Sequence, residues 1–340
     1  MSIRLTELLS KALEVEQLDA KARELTKVGN LRAGNAGVIL PDGTPAGSCP
    51  RIAHLRSLGL DPKGEISEST LTMWESGIVN ETYWVDKLRR IWVGPILCED
   101  EIAVSYETPT GVRLTGRPDI VLCHDVAGTA VPVLGLELKS ISSIWTLEKV
   151  SLGRNVSPKL EHLAQAGLYS WQLGRIHNLP GPLPYRLIYS AHVNYAGPDW
   201  MGTMLRQNYD PTGIVGQHPL VELDSSGKFK NTRPHHMVYE LAWDMSEDKS
   251  DGVLKFRREN ADTYTESPVT WSGIDQYYGM AGDMASHKEL PPRPVVMKGD
   301  GRKGNFSLCD PRYCTLSEIC STKKNYKEWI KEVRREFGGK

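Results

Sequence analysis

A stretch that reads as a buried β-strand yet carries two opposite charges is the strongest constraint in this sequence. Residues 131–140, VPVLGLELKS, are β-prone and otherwise apolar, but they hold Glu137 and Lys139. Side chains two apart on a strand share a face, so the two charges project together. Burying charge is costly unless the charges are paired, ligate a metal or take part in chemistry. Just upstream stand Gly116-Arg117-Pro118-Asp119, at the start of a neighbouring hairpin strand. A turn of modest length brings Asp119 beside Glu137. Two carboxylates and a backbone carbonyl form an all-oxygen site suited to Mg²⁺ or Mn²⁺. Lys139 can position or deprotonate water, or offset developing charge on a phosphate, which equips the site for metal-assisted phosphodiester hydrolysis. Blander alternatives stay open, namely an exposed cross-strand ion pair and a Pro-Asp turn.

The rest of the chain reads as mixed α/β. Residues 3–27 form an amphipathic helix, with Leu5, Leu8, Leu9, Ala12 and Leu13 at helical spacing. A Gly/Pro-rich stretch from Asn30 to Pro50 reads as loop, and a short helix occupies 50–59. The spacing predicts a longer helix over 69–92, with Trp74, Ile78, Val85 and Leu88 as its buried stripe. Alternation over 101–140, punctuated by turns at 109–111 and 124–129, predicts an antiparallel meander of three or more strands. A helix at 158–174 opens with Pro158 and closes at Gly174. Strands follow at 185–194 and 236–243, then a helix near 271–287. Residues 195–235 are rich in Gly, Pro, Asn and Asp and read as loops, with room for one short strand at 219–223. The expected organisation is an N-terminal helical region at 1–68, a core at 69–290 with 195–270 as insertion or decoration, and a C-terminal cysteine-bearing region at 291–340.

The helix at 158–174 carries Gln165 and Tyr169, four apart and therefore on one face. Gly116-x-Pro118-Asp119, Glu137-x-Lys139 and Gln165-x-x-x-Tyr169, in that order and on those element types, resemble the PD-(D/E)XK nuclease superfamily, specifically its RecB-like branch. The resemblance implies a restriction-endonuclease-like α/β core, a mixed central sheet flanked by helices. It implies metal binding by Asp119 and Glu137, a catalytic Lys139, and support from Gln165 and Tyr169. The upstream helix of that family commonly bears Gly-x-x-His-Glu. The matching stretch here is Gly77-Ile78-Val79-Asn80-Glu81, so Glu81 is the implied third carboxylate and Asn80 stands where a His is frequent.

Six cysteines in 340 residues do not make a disulfide scaffold. Cys98 and Cys123 sit in apolar or strand-like contexts. Cys309, Cys314 and Cys320 crowd together near the C-terminus, and three thiolates need a fourth ligand to complete a tetrahedral or cluster site. Cys49, in Gly-Ser-Cys-Pro-Arg, is the best candidate. Such a centre would staple the two ends of the chain around the core. This layout resembles the iron–sulfur RecB-like nucleases, which include the CRISPR-associated iron–sulfur exonucleases, the AddB nuclease domain and related phage proteins. In that group, one upstream and three downstream cysteines hold a 4Fe–4S cluster. The Cys309–Cys314 gap holds four residues where two are usual, and zinc is the alternative metal.

Composition sets outer limits. Hydrophobic residues at 40% and charged residues at 24% are ordinary globular usage, and the formal charge of −1 announces no global attraction to polyanions. No apolar run approaches the roughly 18–20 residues a membrane span needs, and the charged N-terminus lacks the apolar core of a signal peptide. These features suit a cytoplasmic protein of a bacterial or phage-infected cell, with no membrane partner. The C-terminal segment has seven basic residues, Lys323, Lys324, Lys327, Lys331, Arg334, Arg335 and Lys340, against Glu328, Glu332 and Glu336, with Tyr326 and Trp329 interleaved. A solvated amphipathic helix is the favoured reading, and a DNA contact the alternative. His54, His124, His162, His177, His192, His235 and His236 lack zinc-ligand spacing and read as surface or polar-core residues. The expected activity is a metal-dependent deoxyribonuclease acting on DNA ends or single strands in replication, recombination or phage DNA processing. A catalytically inactive nuclease-fold DNA-binding or assembly module is the alternative. A homo-oligomer or a replication or recombination partner is left open.

Overall fold

The computed structural model describes residues 29–60, 68–108, 111–141, 150, 156–191, 235–259, 261–287, 289–303, 308–311 and 314–337. The strands among them are β1 (Leu31–Arg32), β2 (Gly37–Ile39), β3 (Pro45–Gly47), β4 (Ile96–Cys98), β5 (Val104–Glu107), β6 (Arg113–Gly116), β7 (Ile120–Val126), β8 (Thr129–Ile141), β9 (Tyr185–Ala191), β10 (His235–Met245), β11 (Gly252–Arg258) and β12 (Thr265–Thr270). The helices are α1 (Pro50–Ser57), α2 (Glu68–Leu88), α3 (Leu160–Ile176), α4 (Trp271–Gly282), α5 (Ser317–Thr322) and α6 (Tyr326–Phe337). The expected helix at 3–27 and strand at 219–223 lie outside the described residues, as does the side chain of Trp74. No described helix is long and apolar enough to cross a membrane.

A seven-stranded mixed sheet runs in the order β12–β11–β10–β9–β8–β7–β4. Its neighbours are antiparallel except β8 and β9, which are parallel. A parallel pair cannot be closed by a hairpin, and α3 lies in the crossover between these two strands. Three of the seven strands, β10 to β12, come from 235–270, the stretch read from sequence as insertion or decoration.

Strand alternation sorts the sheet into two faces. Leu136 and Leu138 of β8 join Ile120, Leu122 and Ile188 in an apolar layer under Trp84, Val85 and Leu88 of α2. The opposite face, with Val121, Leu187 and Tyr189, packs in the main core with Leu163, Ala166 and Leu168 of α3 and Ile274 and Tyr277 of α4. Glu137 and Lys139, being odd-numbered on β8, fall on this second face.

Several expectations are corrected here. The 101–140 run is not one meander. β6 pairs with β5 on one side and β1 on the other in a separate three-stranded sheet, while β7 and β8 belong to the large one. The break falls at Arg117-Pro118-Asp119: Pro118 has no N–H to offer a ladder, so the chain leaves one sheet and enters the other. Ile78 is 55% exposed rather than buried, because the inward stripe of α2 runs through Asn80, Trp84 and Leu88 instead. The Gly/Pro-rich stretch after Asn30 is not loop throughout. β2 and β3 form a buried two-stranded ribbon, and Gly37 is required there, since a Cβ would stand 2.4 Å from the Tyr277 ring.

The two ends of the described chain meet in a second core. Leu55 of α1 packs with Met284, Leu316, Trp329, Ile330 and Val333, flanked by Cys314 and Cys320. Trp329 is fully buried and Tyr326 donates to or accepts from His54 Nε2 at 3.1 Å. Neither ring is presented outward for stacking, so α6 is an amphipathic helix anchored by its aromatics with a solvated basic face. Trp329→Ala should lower unfolding free energy by about 3–5 kcal/mol, read from the urea midpoint of the full chain.

Candidate functional site

The strand break at 117–119 makes the site. Ile120 pairs with Leu136, so the preceding residue, Asp119, is carried alongside Glu137. Asp119 Oδ2 accepts a hydrogen bond from the Leu138 backbone N–H at 2.6 Å. This fastens the carboxylate to the next strand at the point where the ladder ends. Glu137 is 0% exposed. Its Oε1 accepts from Lys139 Nζ at 2.7 Å, while its Oε2 is buried without a partner among the described residues. Lys139 Nζ also donates to Gln165 Oε1 at 3.0 Å. The lysine is thus fixed from below by its own strand and from above by α3.

Two tyrosines close over the carboxylates because two glycines let them. A Cβ at Gly116 would fall 2.6 Å from Tyr169 Cε1 and 2.8 Å from its Oη. A Cβ at Gly135 would fall 2.0 Å from Tyr185 Cε2. The glycine of Gly116-Arg117-Pro118-Asp119 therefore gives the Tyr169 ring its seat against the backbone beside Asp119. Tyr185 Oη is buried with no partner among the described residues. On α3, His162 lies one turn before Gln165 and on the same face. Its Nδ1 is 2.9 Å from Tyr189 Oη, and Tyr189 is the register partner of Lys139.

The electrostatics follow from this crowding. Burial first, then the charge of Asp119, pushes the Glu137 carboxyl up to about 8, against the pull of Lys139. Burial acts to lower Lys139, but the carboxylates of Glu137, Asp119 and Glu81 outweigh it and hold the ammonium above its ordinary range. Burial and the negative Glu137 hold the Tyr169 and Tyr185 hydroxyls well above the usual phenol range. Burial, then the Lys139 and Lys159 charges, hold His162 well below the usual imidazole range. The negative charge of Glu81 on α2 adds the smallest of these influences on Glu137 and Lys139.

The structure therefore brings together Asp119, Glu137, Lys139, Gln165 and Tyr169, while Glu81 is linked to them only by its charge. Sequence reading missed Tyr185, Tyr189 and His162. The alternation Tyr185–Leu187–Tyr189 and the i, i+3, i+7 spacing His162–Gln165–Tyr169 were the signals that could have found them. Asn80 is 2% exposed with its Oδ1 unpartnered among the described residues.

Cys49, Cys309, Cys314 and Cys320 form the second constellation. Cys49 is the residue at the N-cap of α1, and none of the six cysteines is in a disulfide. Burial, reinforced by Cys320 and Cys309, pushes the Cys49 thiol up to about 12. Cys309 and Cys314 are raised by burial first and by neighbouring cysteines, against the charges of Arg293 and Arg51. Cys314 and Cys320 flank the small core where the chain ends meet, and Cys49, Cys309, Cys314 and Cys320 are linked to one another by mutual charge effects. Among the described residues no group of three or more His, Cys, Asp or Glu side chains stands arranged around a single metal ion.

The donor chemistry fits two kinds of centre. A wholly buried carboxylate with an idle oxygen beside Asp119 suits a hard divalent cation. Four free cysteines on two segments joined by one small core are the residue type for a thiolate-ligated metal or an iron–sulfur cluster. No protein-family model matches the chain, and no curated protein is significantly similar to it.

The raised Glu137 carboxyl has a measurable signature in metal-free protein. A group raised in the folded state contributes stability that is fully present below its ordinary value of 4.5 and is lost as pH rises through about 8. Thermal denaturation at pH 5 and pH 9 in EDTA should show the native chain losing stability relative to Glu137→Gln, by an amount on the order of a few kcal/mol. A difference that does not change with pH would show that Glu137 is ionised throughout.

Proposed function

We propose that this protein is a metal-dependent deoxyribonuclease of the PD-(D/E)XK kind. The observation that carries the reading is the wholly buried Glu137, with one idle oxygen and the other tied through Lys139 to Gln165. Burying a carboxylate next to a second one costs stability that the single Lys139 contact does not offset. Such an arrangement is retained where a cation completes it, and perturbed groups of this kind concentrate at functional sites.

Asp119 and Glu137 would hold Mg²⁺ or Mn²⁺, with Glu81 as a third carboxylate. When bound, the ion would polarise a phosphate oxygen and make a coordinated water more acidic. The remaining roles belong to the chain. The ionised form of Glu137 is its ligand form, and a neighbouring positive charge favours that form by the same electrostatics that now oppose it. Lys139, oriented by Gln165, offers an ammonium to the attacking water or to a phosphate oxygen. Tyr169 closes the site on the Gly116 side and excludes water from the carboxylates. The ordered motif set supports DNA ends or single strands as substrate.

An iron–sulfur cluster held by Cys49, Cys309, Cys314 and Cys320 would staple α1 to the C-terminal region. Its role in this reading is structural, and the hydrolysis needs no electron transfer.

The test is cleavage of end-labelled single- and double-stranded DNA by anaerobically purified full-length protein, with Mn²⁺ and with EDTA. Metal-dependent cleavage should fall by about 10²-fold or more in Glu137→Ala and in Lys139→Ala, with the fold retained by circular dichroism. Protein that binds DNA but cuts neither substrate would replace the nuclease reading with that of an inactive binding module.

A further inference from the structure

Arg51 presents a charge that the polypeptide does not complete. It lies in the first turn of α1, two residues after Cys49, and is 6% exposed. Its Nη2 donates to the Pro291 carbonyl. Its Nε and Nη1 are both buried with no hydrogen-bond partner among the described residues. A buried guanidinium with two idle donors is destabilising unless an anion meets it. Arg51's positive charge acts on Cys309 and Cys314, and Cys314 and Cys320 flank the same small core that receives Ile52 and Leu55 of α1.

We infer that Arg51 is the chain's own counter-charge for a metal–thiolate centre on Cys49, Cys309, Cys314 and Cys320, with an idle N–H of its guanidinium donating to a sulfur of an iron–sulfur cluster. The inference rests on the cofactor reading above and is independent of whether the protein cuts DNA. Four thiolates around a cluster give it a net negative charge, which is what the orphaned donors lack. Arg51 is a positioning residue in this scheme. Its planar guanidinium keeps idle N–H donors on two edges while Nη2 stays on the Pro291 carbonyl, a spread of fixed donors that a lysine cannot reproduce. Donors and positive charge near cluster sulfurs favour the more negative, reduced state, so they raise the reduction potential. Arg293 acts on the same two cysteines, but from an exposed position where solvent screens it.

The experiment uses full-length protein purified or reconstituted anaerobically, with iron and sulfide content, the visible absorption band and the midpoint potential measured for the native chain, Arg51→Met, Arg51→Lys and Arg293→Met. Arg51→Met should shift the potential to more negative values, Arg51→Lys should recover part of the shift, and Arg293→Met should move it least. A loaded Arg51→Met protein with the native potential and spectrum would overturn the inference while leaving the cluster in place.

If Arg51→Met takes up no cluster, a stability cycle with Cys320→Ser decides. A counter-charge loses its purpose once the centre is gone, so Arg51→Met should be neutral or stabilising in the Cys320→Ser background. Equal destabilisation in both backgrounds would make Arg51 a purely structural residue held by Pro291. A native chain that carries zinc, or neither iron nor sulfide, would remove the cofactor reading itself and this inference with it.

Discussion

The buried carboxylate of Glu137 organises everything around it. Because β8 is covered on one face by α2 and on the other by α3, its charged residue cannot escape to solvent. Every neighbour is arranged to meet that fact: Lys139 on the same strand, Gln165 on the crossover helix, Asp119 at the strand break. The parallel pairing of β8 with β9 is part of the same arrangement. It forces a crossover between these strands, and α3 in that crossover lies over the two charges of β8. A hairpin between them would have left Glu137 and Lys139 without Gln165 or Tyr169.

The two glycines at 116 and 135 show how narrowly backbone and side chains are matched here. Each gives up its own side chain so that a tyrosine ring can rest against the main chain. The rings bring phenol groups into the site without opening it to water. Burial penalises the charged forms, and removing solvent strengthens electrostatic interactions between the groups that remain, which is why Glu137, Lys139 and His162 depart from their ordinary protonation behaviour. The apolar walls and the charged centre are therefore one construction.

Much of the site was legible in the sequence, and for identifiable reasons. Period-two alternation in 131–140 places Glu137 and Lys139 together whatever the tertiary structure, and period 3.6 in 160–176 does the same for Gln165 and Tyr169. Both are local regularities. The handover at Arg117-Pro118-Asp119 was not legible, because the residues on either side are equally β-prone and only the tertiary pairing separates two sheets. Ile78 and Val79 are adjacent apolar residues on a helix, and local pattern alone could not decide which way that helix is turned. β1, β2 and β3 are two or three residues long, too short for any periodicity. Their identity comes from what they pack against, as the close approach of Gly37 to Tyr277 makes plain. Arg51 stood in view beside Cys49, yet its significance appears only once its burial and its idle donors are known.

The seam between α1 and the C-terminal helices has a consequence for how the molecule is made. A ribosome releases residues 31–57 long before Trp329 exists, so Leu55 and its neighbours have no lasting partner while the intervening chain is being synthesised. β1 likewise waits for β6. Contacts of such large sequence separation are slow to form, because loop closure precedes any gain from them. The strands of the central sheet can pair before that, whereas the joining of the two ends must wait for the C-terminal helices. Until that moment the nascent protein exposes the apolar side of α1 and unpaired strand edges, which makes the interval between sheet formation and end closure its period of greatest exposure to aggregation and to proteolysis.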